Sequence, residues 1–163
     1  MPERHPRSLS AAERRARQRR VSRIAGRLGF VGRVEYRHEY SRTGGAQYSQ
    51  AAAPEHDLLI VYAEAFERDA APDDFPLEAI LAHERGHQLL TRHPRLTRRT
   101  ADGISSVSHE ILASILGVLI SPAVEDHETL VAKAPVALLE RGVQSEVATR
   151  LVKKRKGHLE RLL

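Results

Sequence analysis

Between residues 33 and 40 the chain alternates strictly. Val34, Tyr36, His38 and Tyr40 fall on one side and Arg33, Glu35, Arg37 and Glu39 on the other, the two-residue period of a half-buried strand. Thr43-Gly44-Gly45 then reads as a turn into a second strand over residues 46–52. After Pro54, the run Leu58-Leu59-Ile60-Val61-Tyr62 predicts a third, more buried one. Residues 10–28 follow the helical period instead: Ala16, Val21, Ile24, Ala25 and Leu28 form a narrow apolar stripe under a basic face. Ser10 and Glu13 have capping-box spacing, and Gly29 follows the end. A second helix is expected from Phe75-Pro76-Leu77-Glu78, with Asp73 or Asp74 as its cap, to Arg92-His93-Pro94. Residues 105–122 predict a third helix, opened by serines and stopped by Pro122, and residues 123–133, 135–141 and 143–162 also carry helical patterns. The order of elements implies an α+β fold: a small antiparallel sheet of about three strands packed on helices, with further helices at the N- and C-terminal ends.

Length and composition fit this picture. With 163 residues, 41% of them hydrophobic, the chain is expected to form one domain. Its parts would be an arginine-rich N-terminal helix (1–29), the sheet with two central helices (30–122) and C-terminal helices (123–163). No cysteine is present, which excludes a disulfide scaffold and any thiolate metal site. The longest apolar run, residues 111–120, is too short to span a bilayer, and the arginine-rich start has no apolar signal core, so a cytoplasmic protein without a membrane partner is expected. The formal charge of +5 and the arginines crowding the first thirty residues raise nucleic acid as a partner. Arginine outnumbers lysine throughout, however, and no DNA- or RNA-binding motif accompanies the cluster, so a solvated basic face is preferred.

The densest chemistry lies in His83-Glu84-Arg85-Gly86-His87, an H-E-x-x-H sequence set in an apolar run. Residues four apart on a helix sit one above the other, so both imidazoles can reach one ion, and Glu84, about 100° round, can touch a water held there. Zinc is the expected ion: it lowers the pKa of water and polarises a carbonyl, and Glu84 is the residue to take the proton. A tetrahedral site needs a third protein ligand. His93 reproduces the metzincin spacing, but Leu90 stands where that family has glycine, and Met1 is the only methionine, so no later methionine turn exists. Glu110 is the stronger candidate, a lone carboxylate near the start of an apolar helix, where a divalent cation is a natural partner. Tyr48, Tyr62, His109 and His127 could stabilise an oxyanion, Tyr48 being the residue singled out for substrate binding. Gly86, costly within a helix, suggests the close approach of a neighbouring strand.

From residue 57 to residue 122 the chain resembles the ImmA/IrrE family of bacterial metallo-endopeptidases, in which an H-E-x-x-H helix is followed by one of the form E-x-x-A-N/D-x-F-A-x-x-L-L-M-P. Glu110, Ala113, Ser114, Leu119, Ile120 and Pro122 stand at corresponding places. The resemblance implies a zincin-like core of gluzincin type, one zinc ion on His83, His87 and Glu110, Glu84 as general base, and a protein or peptide substrate such as a repressor. Ser114 replaces the usual Asn or Asp that orients a ligating histidine, and Ile115 replaces Phe. Residues 46–52 are expected to be the edge strand that receives an extended polypeptide. Two other readings accompany this one: a SprT-like protease acting on DNA-associated proteins, and a catalytically weak zinc-containing binding module.

Overall fold

The computed structural model describes residues 4–41, 43–97, 109–121 and 145–163. The expected segments at 123–133 and 135–141, the serines at 105–108 and His127 lie outside the described residues. In chain order the elements are α1 (Ala11–Arg27), β1 (Arg33–Arg37), β2 (Ala46–Ser49), β3 (Leu58–Tyr62), α2 (Ala63–Ala70), α3 (Leu77–Arg92), α4 (His109–Ile120) and α5 (Ser145–Leu162), with short 3-10 turns at Pro54–His56 and Pro94–Thr97. The fold is α+β. Helix α1 begins as its sequence predicts: Ser10 Oγ accepts from the Glu13 amide at 3.2 Å while the Glu13 carboxylate accepts from the Ser10 amide at 2.7 Å, a complete capping box.

The sheet differs from the antiparallel one expected. Its order is β1-β3-β2, and it is mixed: β2 runs antiparallel to β3, but β1 runs parallel to it, with Val34 opposite Leu59 and Tyr36 opposite Val61. The most continuously apolar strand takes the centre, where both of its edges are paired, and the charged β1 is left at one margin. Strand β2 forms the other margin.

Helix α2 was not apparent in the sequence pattern. Strand β3 passes into it at Tyr62–Ala63 without a glycine or proline to mark the change, and Ala63, Ala65 and Phe66 prolong the apolar run. This helix also corrects the expected cap of α3. Neither Asp73 nor Asp74 caps it; Pro76 occupies the N-cap position without a side-chain bond, and the free amide of Leu77 donates to Asp69 of α2 at 2.8 Å.

Helix α3 separates two apolar clusters. One gathers Val21, Ile24 and Leu28 of α1 with Leu59 and Val61 of β3 and Leu77, Ile80 and Leu81 of α3. The other joins Leu89 and Leu90 to Leu112, Ile115 and Leu116 of α4 and Leu159 of α5. With sheet and α1 on one flank and α4 on the other, α3 buries ten of its residues, Glu84 and Gln88 among them.

The α3–α4 contact is backbone against backbone. A Cβ on Gly86 would lie 2.2 Å from the Ala113 carbonyl oxygen, and one on Gly117 would lie 3.0 Å from the Ala82 carbonyl. As α3 is followed backwards from 86 to 82, α4 advances from 113 to 117, so the helices are antiparallel. The close neighbour that Gly86 admits is thus a helix, not the strand expected. Gly86→Ala should destabilise the fold by about 1–3 kcal/mol, outweighing the roughly 1 kcal/mol that alanine ordinarily gains inside a helix. Urea unfolding measures this, and an unchanged midpoint would contradict the contact.

Candidate metal centre

Two successive turns of α3 bring His83 and His87 to one face, and the antiparallel α4 sets Glu110 opposite them. His83 Nε2 lies 2.9 Å from Glu110 Oε2, His87 Nε2 lies 3.3 Å from the same oxygen, and the two Nε2 atoms are 3.1 Å apart. These three atoms form a triangle that could hold a metal ion. Three lone-pair donors facing one another need either a shared proton or a cation, and two neutral imidazoles with a carboxylate are a good donor set for a divalent one.

The outer nitrogens of both rings are engaged as well. His83 Nδ1 is 2.9 Å from Ser114 Oγ, so the serine hydroxyl makes a hydrogen-bonding contact with the ring. His87 Nδ1 is 2.8 Å from His109 Nδ1, and the two rings stack at 13° with centroids 5.0 Å apart. His109, considered from the sequence as an oxyanion donor, therefore sits beside a ligand candidate. A lone pair on its Nδ1 would fix His87 with the proton outward and Nε2 bare.

His93 takes no part in this group. It is exposed, caps the C-terminus of α3, and its amide donates to the Leu89 carbonyl at 2.9 Å.

The charges are mutually adjusted. Hydrogen bonds from His83 and His87 hold the Glu110 carboxyl well below the usual carboxylate range. Burial disfavours the imidazolium of His87, but the bond to Glu110 and the charges of Glu110 and Glu84 together outweigh it and raise the pKa. His109 is shifted down by burial and by the neighbouring His87 charge.

Glu84 is only 8% exposed and lies on the sheet side of the histidines. One of its oxygens, Oε2, accepts from the Tyr48 amide of β2 at 2.8 Å. Burial pushes its pKa up, against the pull of His83 and His87. A carboxylate raised in this way is a better proton acceptor near neutrality than an exposed one.

Tyr48 reaches the site through its backbone. Its hydroxyl donates to Asp57 at 2.8 Å, and burial followed by that bond pushes the phenol up to about 12. Tyr62 is buried within β3, its hydroxyl 3.5 Å from Gln47 Oε1.

Asp57 is a buried hub that sequence reasoning missed. Its side chain is inaccessible to solvent and accepts from the Ala51 amide at 2.8 Å, Gln88 at 2.9 Å and Tyr48, and it pairs with Arg92. Burial opposes its charge, yet Arg92 and these donors hold it well below the usual carboxylate range. The hub ties the end of β2 to the last two turns of α3. Its members are distant in sequence, and Gln88 and Arg92 carried no motif.

A cleft of about 540 Å³ opens over the site. One wall is β2 with Gln47 and Tyr48, the opposite wall is His109, Glu110 and Ser114, and the floor is α3 from Ala79 to Thr91. Phe75 and Ile80 make the end near Arg68 apolar, with the Arg68 guanidinium 5.3 Å from the centre of the Phe75 ring. No protein-family model matches the chain, and comparison with curated proteins and with solved structures gives no match.

The ligand geometry is tested by metal content after dialysis. Glu110→Ala should cut affinity for a divalent ion by more than the roughly 10–100-fold that losing an outer partner costs, and His93→Ala should leave it unchanged. The reverse ranking would contradict the triangle.

Proposed function

We propose that this protein is a zinc-dependent endopeptidase. The observation that carries the reading is the convergence of His83 Nε2, His87 Nε2 and Glu110 Oε2 beside the buried carboxylate of Glu84 at the base of a cleft. Donors bound to tetrahedral zinc at about 2.0–2.1 Å stand roughly 3.3 Å apart, and the three observed separations run from 2.9 to 3.3 Å. Two imidazoles and one carboxylate are a donor set typical of catalytic zinc, one that leaves a fourth position open. A zinc ion held there supplies Lewis acidity, lowering the pKa of water and polarising a substrate carbonyl.

The chain's own residues do the rest. Glu84, its basicity raised by burial and its carboxylate held by the Tyr48 amide, takes a proton from the attacking water and returns it to the leaving amine. Among the described residues β2 pairs with β3 alone, and the Tyr48 amide donates to Glu84 on the floor of the cleft. An extended polypeptide lies along this margin, its main chain paired with β2 and one side chain in the apolar end formed by Phe75 and Ile80. Such a groove suits a protein or peptide substrate, a repressor being one example. The resemblance to the ImmA/IrrE family supports the same reading. The contact between Ser114 and His83 weighs against a decayed, non-catalytic site.

The test is hydrolysis of unfolded casein and of a mixed fluorogenic peptide set by zinc-loaded protein. Glu84→Gln should retain zinc and lower kcat by about 10²–10⁴-fold, the contribution of a positioned general base. Undiminished cleavage by this variant would overturn the mechanism, and no cleavage by zinc-loaded wild type would overturn the assignment.

A further inference from the structure

Helix α1 carries seven arginines, six of which fall into two groups. Those turned toward the body of the protein are partnered: Arg17 donates to Tyr36 Oη at 2.8 Å and lies 4.4 Å over the Phe66 ring, Arg20 pairs with Asp69 at 2.8 Å, and Arg27 lies 3.7 Å from Glu78. Arg15, Arg19 and Arg23 differ. All three are exposed, at i, i+4 and i+8 on the face opposite Val21, Ile24 and Leu28, and no carboxylate among the described residues pairs with them.

Like charges at i, i+4 repel along a helix, so this row weakens α1 without an internal counter-charge. Small residues surround them on this face. Ala12, Ala16, Ser22 and Gly26 are exposed on the same face, so the guanidinium groups stand above their immediate surroundings.

We propose that this face of α1 binds the phosphate backbone of a nucleic-acid duplex. The row presents a guanidinium about every 6 Å along the helix axis, and a duplex strand offers a phosphate about every 3.4 Å of its own axis, so each arginine has an acceptor within reach. Guanidinium forks bind phosphate oxygens in pairs and stay charged at any physiological pH. A membrane surface is disfavoured because an interfacial helix needs an apolar face to insert, and the apolar residues of α1 are buried under the sheet and α3. A protein partner is disfavoured because this face has no aromatic or large aliphatic residue to serve as an anchor. The binding carries no base specificity, since only phosphates are addressed. It is independent of the metal site.

The experiment is fluorescence anisotropy of a labelled 20-base-pair DNA duplex of arbitrary sequence, titrated at several KCl concentrations. Wild type should bind with log K falling linearly against log salt. The R15Q/R19Q/R23Q variant should lose more than about tenfold in affinity at low salt and about 3 in slope, roughly 0.9 for each phosphate contact. R15K/R19K/R23K should keep the wild-type slope, and R95Q/R150Q/K153Q, which removes the same charge from exposed positions elsewhere, should keep both slope and affinity. Absence of duplex binding by wild type would overturn the proposal. So would equal losses in the two glutamine variants, or a loss confined to phosphatidylserine vesicles with duplex binding intact.

Discussion

The close approach of α3 and α4 is the constraint on which the site depends. Donor atoms from two helices fall within 3.3 Å of one another only because the helix backbones nearly touch, and they touch because Gly86 and Gly117 have no side chain between them. Ordinary helix pairs stand 8–10 Å apart, a spacing set by side chains at the contact. Ala82 and Ala113 complete this small-residue seam. On the turns beside it, His83 and His87 face Glu110 and Ser114, so the packing that joins the helices also gathers the ligand candidates. The helix penalty of Gly86 is offset by position.

A second constraint acts on the opposite side of α3. The buried Asp57 joins Gln88 and Arg92 of α3 to Tyr48 and Ala51 at the end of β2. Together with the bond from the Tyr48 amide to Glu84, it fixes how far the sheet margin stands from the histidines. A fully enclosed carboxylate is stable only when its oxygens are satisfied, and here they have four side-chain or backbone partners. The cleft is therefore bounded by two different devices. Apolar seam packing positions the candidate metal ligands, and a polar network positions the side proposed to receive substrate.

The parts legible in the sequence were those governed by local periodicity and local spacing. The i, i+4 histidines put two ligand candidates on one face, and Glu110 stood out as a carboxylate beside an apolar run. The capping box at Ser10 and Glu13 marked the start of α1. What remained hidden depended on partners far along the chain. Alternation at residues 33–40 marked a half-buried strand, which the structure ends at Arg37, but carried no information about its neighbour, so the parallel pairing of β1 with β3 was not foreseen. Asp69, from a helix that no turn residue announced, caps α3 in place of Asp73 or Asp74. Tyr48 was selected for its hydroxyl, whereas its backbone amide is the group that meets Glu84. His109 is drawn to His87 by the helix turn it shares with Glu110, a contact set by the antiparallel packing of α4 on α3.

X-ray absorption at the zinc edge on reconstituted protein reads the ligand shell itself. One zinc per chain is expected, with two imidazoles at about 2.0–2.1 Å and the remaining donors oxygen. A shell containing three imidazoles, or none, would contradict the assignment of His83, His87 and Glu110 as ligands.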